Sequence, residues 1–398
     1  MSLFSAVQMA PRDPIFGLND QFASDTNPHK VNLGVGVYFD DNGKLPLLEC
    51  VRKAEHAMLE SPKARNYLPM DGIAAYDTAV KALVFGAQSE VVTSGRVATV
   101  QSLGGTGGLK IGADFLHKLN PGAKALVSDP TWANHTAIFR NAGFEVGTYT
   151  YYDAAGRRVN VEGMLADLRA AAPGTVVVLH ACCHNPTGYD LTAAQWDQVV
   201  GVVKERQLVA FLDMAYQGFG QGLKEDATAI EKFTASGLSF FVSTSFSKSF
   251  SLYGERVGAV SVVTQSKDET DRVLSQLKIT VRTNYSNPPT HGASIVASVL
   301  QSPELRALWE KELGEMRTRI KSMRRGLVDG LKAAGVKQDM SFITTQVGMF
   351  SYSGLSKEQM LRLRSEFGVY GTDSGRMCVA ALNTRNLAHV AQAIAAVL

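Results

Sequence analysis

A chain of 398 residues has room for two or three folding units. Its 45% hydrophobic and 19% charged content excludes disorder as the main state, and forty basic against thirty-seven acidic residues leave +3, too little to draw in nucleic acid. The longest apolar runs, Thr175–Leu179 and Val257–Val263, fall far short of the ~20 residues that span a bilayer.

The N-terminal stretch has no basic flank, apolar core or small-residue cleavage site, so no signal peptide is expected. Strands are expected at Val97–Gln101, Ala125–Ser128, Thr175–His180, Leu208–Asp213, Phe240–Thr244 and Val257–Val263. Helices are expected at Gly107–Leu119, Val161–Ala171, Thr192–Arg206, Ala227–Ala235 and Lys267–Thr280. This alternation predicts an α/β fold with a mostly parallel central sheet covered on both faces. After Gln301 the texture changes: Leu313, Met316, Ile320, Met323, Leu327 and Leu331 mark one long amphipathic helix over Pro303–Ala334. A strand near Val347–Tyr352, a helix Lys357–Phe367 and a strand Met377–Ala381 follow. The expected organisation is an arm and part of a small domain over residues 1–46, a large domain over 47–302, and the long helix with the rest of the small domain over 303–398. The four cysteines, Cys50, Cys182, Cys183 and Cys378, include an adjacent pair, which suits a reduced cytoplasmic protein better than a disulfide scaffold.

Ligands of open parallel sheets bind beyond the carboxyl ends of the strands. Polar features cluster at those ends. The first strand runs into Gly104-Gly105-Thr106-Gly107-Gly108, which offers either a phosphate seat at a helix N-terminus or a tight strand–helix turn. It lacks the lysine of a nucleotide P-loop and the spacing of a dinucleotide fingerprint. Asp129, Trp132 and His135 follow the second strand, and Cys182-Cys183-His184-Asn185-Pro186-Thr187-Gly188 follows the third. Asp213 ends an apolar strand, where its carboxylate needs a cation or N–H partner unless it serves as a helix cap. Lys248 closes Ser245-Phe246-Ser247-Lys248 among apolar neighbours, the setting of a low-pKa amine. Arg256 opens the next strand and offers a planar fork to a phosphate. A phosphate seat, a carboxylate, an amine and an aromatic platform are together what pyridoxal phosphate requires. Cys182-Cys183-His184 lacks a second Cys/His pair, so no metal is expected there and the segment reads as packing beside Asn185.

The series Gly-Gly-Thr-Gly, Asp-Pro-Thr-Trp-x-x-His, Cys-Cys-His-Asn-Pro-Thr-Gly, Asp-x-Ala-Tyr-Gln-Gly-Phe, Ser-Phe-Ser-Lys and Ser-Gly-Arg-Met-Cys resembles the class I aminotransferases, in particular the aspartate and aromatic-amino-acid subgroup. The likeness runs from Asp13 to the C-terminus and implies a fold type I transferase dependent on pyridoxal 5'-phosphate. It implies that Lys248 holds the cofactor and shuttles the proton, that Asp213 keeps the pyridine nitrogen protonated, and that Asn185 and Tyr216 donate to the phenolic oxygen. Trp132 would stack on the ring, with His135 and His180 behind Asp213. Gly104, Gly105, Thr106, Ser245, Ser247 and Arg256 would seat the phosphate. Tyr67 would reach the phosphate of a neighbouring subunit, which implies a homodimer with shared active sites. Arg376 would grip the substrate α-carboxylate, Gly36 would close over it, and Arg282 would reach across the dimer to a side-chain carboxylate. The small domain is expected to close on substrate. One departure is Ala181, where close relatives often carry proline.

The substrates implied are amino acids and 2-oxo acids. Leu45, Leu68-Pro69-Met70 and the Ser-Phe-Ser-Lys-Ser-Phe-Ser-Leu-Tyr run resemble the aromatic branch, whereas Asn66 and Asn287 resemble the aspartate branch. The expectation is transfer from L-tyrosine or L-phenylalanine, and also L-aspartate, to 2-oxoglutarate. The alternative is a narrow aspartate aminotransferase.

Overall fold

The computed structural model describes residues 2–10, 13, 15–64 and 66–398; Pro14, inside the Asp13–Phe16 stretch, lies outside them. The chain divides into two compact units, one of residues 45–320 and 345–348, the other of 1–44, 321–344 and 349–398.

The larger unit is built on seven strands: β1 (Val97–Leu103), β2 (Lys124–Asp129), β3 (Glu145–Thr150), β4 (Val176–His180), β5 (Val209–Met214), β6 (Phe240–Ser245) and β7 (Val257–Val263). Their order is β1-β7-β6-β5-β4-β2-β3. The β2–β3, β2–β4, β4–β5 and β5–β6 pairs are parallel, and β7 runs antiparallel to both β6 and β1. Two antiparallel pairings in succession return β1 to the sense of the other five. Every residue of β4 and β7 is buried, which is why both read as unbroken apolar runs.

Helix α1 (Gly104–Leu119) lies against this sheet, burying Leu109, Ile111, Ala113, Phe115 and Leu116. Gly112 permits the close approach, since a Cβ there would stand 2.5 Å from the Phe211 ring. Helix α2 (Ala133–Asn141) and helix α3 (Lys267–Tyr285) add Ile138, Phe139, Leu277 and Val281 to the same cluster, with Val100, Val127, Val178, Phe211 and Phe241 from the strands. Full burial of each such side chain contributes about 1.5–3 kcal/mol.

Helix α4 (Pro303–Ala333) passes from one unit into the other. Its six predicted apolar positions, Leu313, Met316, Ile320, Met323, Leu327 and Leu331, are all buried. In the first unit's half, Trp309 donates its indole N–H to Ser249 O at 2.7 Å. In the other half, the buried Arg324 donates to Ile343 O at 3.0 Å and Phe350 O at 2.6 Å, so its charge is met by backbone dipoles.

The smaller unit pairs Val31–Asn32 in parallel with Val369–Tyr370, and Phe350–Tyr352 antiparallel with Arg376–Cys378. Its helix Lys357–Phe367 starts from a Ser356/Gln359 capping box and stops at Gly368 in the left-handed region. Among the described residues, no helix is long and apolar enough to cross a membrane.

Candidate active site

Sheet register gathers the predicted residues of the larger unit. His180 lies opposite Asp213, Asp213 opposite Ser243, Ser245 opposite Gly258, and Leu103 opposite Val257. The carboxyl ends of β1, β4, β5 and β6 therefore share one edge with the start of β7, where Arg256 enters.

Asp213 is 5% exposed, and His135 Nε2–H donates to its Oδ2 at 2.8 Å. The other nitrogen, Nδ1, is 2.9 Å from Thr131 Oγ1, which donates to it when the ring is neutral. Burial pushes the Asp213 carboxyl up, but the His135 hydrogen bond and the positive charge nearby, including that of Lys248, outweigh it and hold the group below the ordinary carboxylate range. His180 adds little to this field, because burial drives its own pKa far down and keeps the ring neutral. It is packed between His135 and His184, with centroids at 4.8 and 4.3 Å, and neither of its ring nitrogens meets a hydrogen-bond partner among the described residues. His180 thus sits beside Asp213 and His135, as the resemblance implies. His184 is the anchored member, with Nε2 2.9 Å from Ser128 Oγ, Nδ1 2.8 Å from Thr187 Oγ1, and its ring stacked on Tyr151.

Trp132 sits at the N-cap of α2, edge-on to His135 at 5.3 Å. Lys248, half-buried just past β6, has Nζ 4.8 Å from the centroid of the buried Tyr216 ring. Asn185 is also buried, in the turn after β4.

The glycine run opens a helix whose first turn has no side-chain cap, leaving N–H groups of Gly105 and Thr106 for an anion. Gly104 has φ +68°, and a Cβ there would meet Arg256 Nη2 at 2.5 Å. Ser245 and Ser247 are buried beside it; Ser245 Oγ accepts from Ser247 N at 3.3 Å, and Arg256 Nη1 is 3.4 Å from Ser247 Oγ. Ser243, unremarkable in the sequence, donates to Gly105 O at 2.9 Å and holds the turn down on the sheet. An uncapped helix start next to a guanidinium, an ionised carboxylate and a lysine amine fit the phosphate, the ring nitrogen and the aldehyde of pyridoxal phosphate.

Tyr67 and Arg282 do not join this cluster. Tyr67 is 87% exposed, and Arg282, on α3, is exposed and bonded to Ser286 Oγ. A cleft of about 340 Å³ unites Tyr67, Asn66 and Leu68 with Asn287–Thr290 on that surface.

In the smaller unit, Arg376 is 5% exposed, donates from Nη2 to Gly34 O at 2.6 Å, and lies 4.3 Å above the Phe350 ring. Gly36 borders the same ring, where a Cβ would come within 2.7 Å of Phe350 Cζ. Phe350 is thus a platform for both predicted residues, and its sequence surroundings distinguish it in no way from other core aromatics.

Residues 28–394 match the family described as aminotransferase class I and II. The chain is 61% identical over 398 residues to an aspartate aminotransferase of Pseudomonas aeruginosa, covering all of both chains. It is 50% identical over 397 residues to the aromatic-amino-acid aminotransferase of Escherichia coli, again covering all of both. Its backbone superposes on that of an aromatic-amino-acid aminotransferase from Burkholderia pseudomallei, solved covalently bound to pyridoxal phosphate, with a TM-score of 0.98, 65% identity and full coverage of each chain. Matched by the family model over most of its length and by relatives covered in full, the chain belongs to the class I and II aminotransferases.

Proposed function

We propose that this enzyme, a pyridoxal-phosphate-dependent aminotransferase, moves the amino group of L-phenylalanine or L-tyrosine, and of L-aspartate, to 2-oxoglutarate in a ping-pong cycle. The observation that carries the reading is the Asp213 carboxylate, buried yet held ionised by His135 on the same sheet edge as Lys248. The bound cofactor supplies a ring into which the electron pair left at the substrate Cα can spread. Asp213 holds a proton on the ring nitrogen, and His135 fixes the carboxylate that does so. Lys248 would hold the cofactor, and its Nζ would take up and give back the substrate Cα proton. Asn185 and Tyr216 would donate to the phenolic oxygen, Trp132 would lie against the ring, and Gly104, Gly105, Thr106, Ser245, Ser247 and Arg256 would seat the phosphate. Arg376 takes the substrate α-carboxylate through its planar fork, with the Gly36 backbone alongside.

Tyr67 and Arg282 serve the site of a second copy, in a homodimer. Their exposure supports this, as does that of Leu45, Leu47, Leu59, Met70 and Ile279 in the same unit. Four free, buried cysteines support a cytoplasmic setting. The name of the Burkholderia relative favours aromatic substrates, while that of the Pseudomonas relative favours a narrow aspartate enzyme. Mixing the holoenzyme with L-phenylalanine and no 2-oxo acid separates the two. Stoichiometric phenylpyruvate is expected from the wild type and none from Lys248→Ala. Oxaloacetate from L-aspartate with no phenylpyruvate from L-phenylalanine would leave the aspartate reading, and turnover by Lys248→Ala would overturn the role of the lysine.

A further inference from the structure

The adjacent cysteines after β4 have no part in the transamination just described, and their surroundings are unusual. Cys182 and Cys183 are 4% and 2% exposed. Their sulfurs and a carboxylate oxygen of Asp226 all lie within 4.8 Å of one another. Asp226 comes from the turn after β5, distant in sequence, and supplies the ligand that the Cys-Cys-His segment lacks by itself. Beside the cluster is a cavity of about 260 Å³, and Cys182, Tyr189, Asp190, Glu225 and Asp226 line it. No lysine, arginine or histidine is found among its described lining residues. The Tyr189 hydroxyl in this wall is buried without a hydrogen-bond partner among the described residues.

We infer that Cys182 Sγ, Cys183 Sγ and Asp226 form a binding site for one thiophilic divalent cation of the zinc or cadmium class, entered from this cavity. Two sulfurs and one carboxylate oxygen provide three corners of a tetrahedron and leave the fourth to water from the cavity. Electrostatics favours a cation. Asp226 accepts N–H bonds from Gly218, Gly220 and Gln221, and Asp190 accepts them from Cys183 and His184, but neither carboxylate has a cationic partner among the described residues.

The chemistry is an exchange of protons for the ion, with no change of oxidation state. Both S–H bonds break, two protons leave to the buffer, and two sulfur–metal bonds form. The S–H contacts given up are weak ones, from Cys182 to Met214 Sδ at 3.6 Å and from Cys183 to Tyr216 O at 3.8 Å.

Cadmium titration of the holoenzyme tests the site through the ultraviolet charge-transfer absorption of a cadmium–thiolate bond, which does not depend on activity. One equivalent per chain is expected to saturate the band. Cys182→Ser and Cys183→Ser should each weaken binding at least tenfold, and Asp226→Asn should weaken it while keeping part of the band. Cys50→Ser and Cys378→Ser should bind as the wild type does. Since Asp226 also anchors its turn, retention of the visible cofactor spectrum is the check on folding, and the two serine variants decide the matter if Asp226→Asn fails it. No band in the wild type, or a band that survives in Cys182→Ser and Cys183→Ser, would overturn the assignment.

Discussion

Two buried aspartates of this chain meet opposite fates, and their partners explain why. Asp213 gains a hydrogen bond from His135 and stays ionised. Asp77, 7% exposed in the helix Ala74–Lys81, leaves Oδ1 without a partner. Burial pushes its carboxyl up to about 8, against an opposing pull from Lys81. The folded protein thus keeps a proton on Asp77 that the unfolded chain releases near the ordinary aspartate value of 3.8. Between those values the native state binds more protons, so stability from this group is fully present below about pH 4 and is lost as pH rises through about 8. Asp77→Asn keeps the shape and removes the titration. It is expected to match the wild type near pH 3 and to be more stable by roughly 1–3 kcal/mol at pH 9. Urea unfolding at both pH values checks this, and parallel stability–pH curves for the two proteins would contradict it.

At the scale of elements, glycines show how one residue type serves different ends. Gly104 starts α1 with φ +68° against the Arg256 guanidinium. Gly201 lies in the helix Ala193–Glu205 with open space where a Cβ would go. Gly104→Ala forces a left-handed conformation at about 1–2 kcal/mol and displaces the guanidinium, so cofactor affinity should fall at least tenfold. Gly201→Ala should leave affinity alone and stabilise by about 0.5–1 kcal/mol. Fluorescence titration with pyridoxal phosphate and thermal melts distinguish the two effects; equal cofactor affinity in the Gly104→Ala variant would remove that glycine from the phosphate seat.

Elements with strong burial on both faces were the most legible in the sequence: β4 and β7 stand within a residue of their expected limits. The edge strand β3, with exposed Glu145 and Thr148, carries too little apolar pattern to be read. The direction of β7 was also hidden, because a strand buried on both faces has the same composition either way. Helix α1 begins at Gly104 rather than Gly107, since a glycine-rich run reads as a turn until an adjacent strand fixes it. The same limit applies to the candidate site. Lys248 and Asp213 stand out as charges at the ends of apolar strands, whereas Thr131, Ser243 and Phe350 matter only through neighbours brought to them by the fold.

For the whole molecule, the distribution of exposed residues sets the strongest constraint. Lys248 and Asp213 lie within the larger unit, yet Tyr67 and Arg282, the residues proposed to complete the site, face solvent in the single chain. If each copy lends them to the other, two differently disabled chains should repair one another. Lys248→Ala lacks the amine and Arg282→Ala lacks the side-chain carboxylate grip, so each homodimer should be inactive toward L-aspartate. In a mixed dimer one site combines Lys248 of one chain with Arg282 of the other and is intact, while the second site bears both defects. Random pairing makes half the dimers mixed, with one good site of two, so coexpression should return about a quarter of wild-type activity. Arg282→Ala alone should retain turnover of L-phenylalanine with oxo acids that carry no second carboxylate, which separates a lost grip from a damaged fold. A coexpressed mixture no more active than the sum of its parents would place Arg282 and Lys248 in the service of one and the same chain.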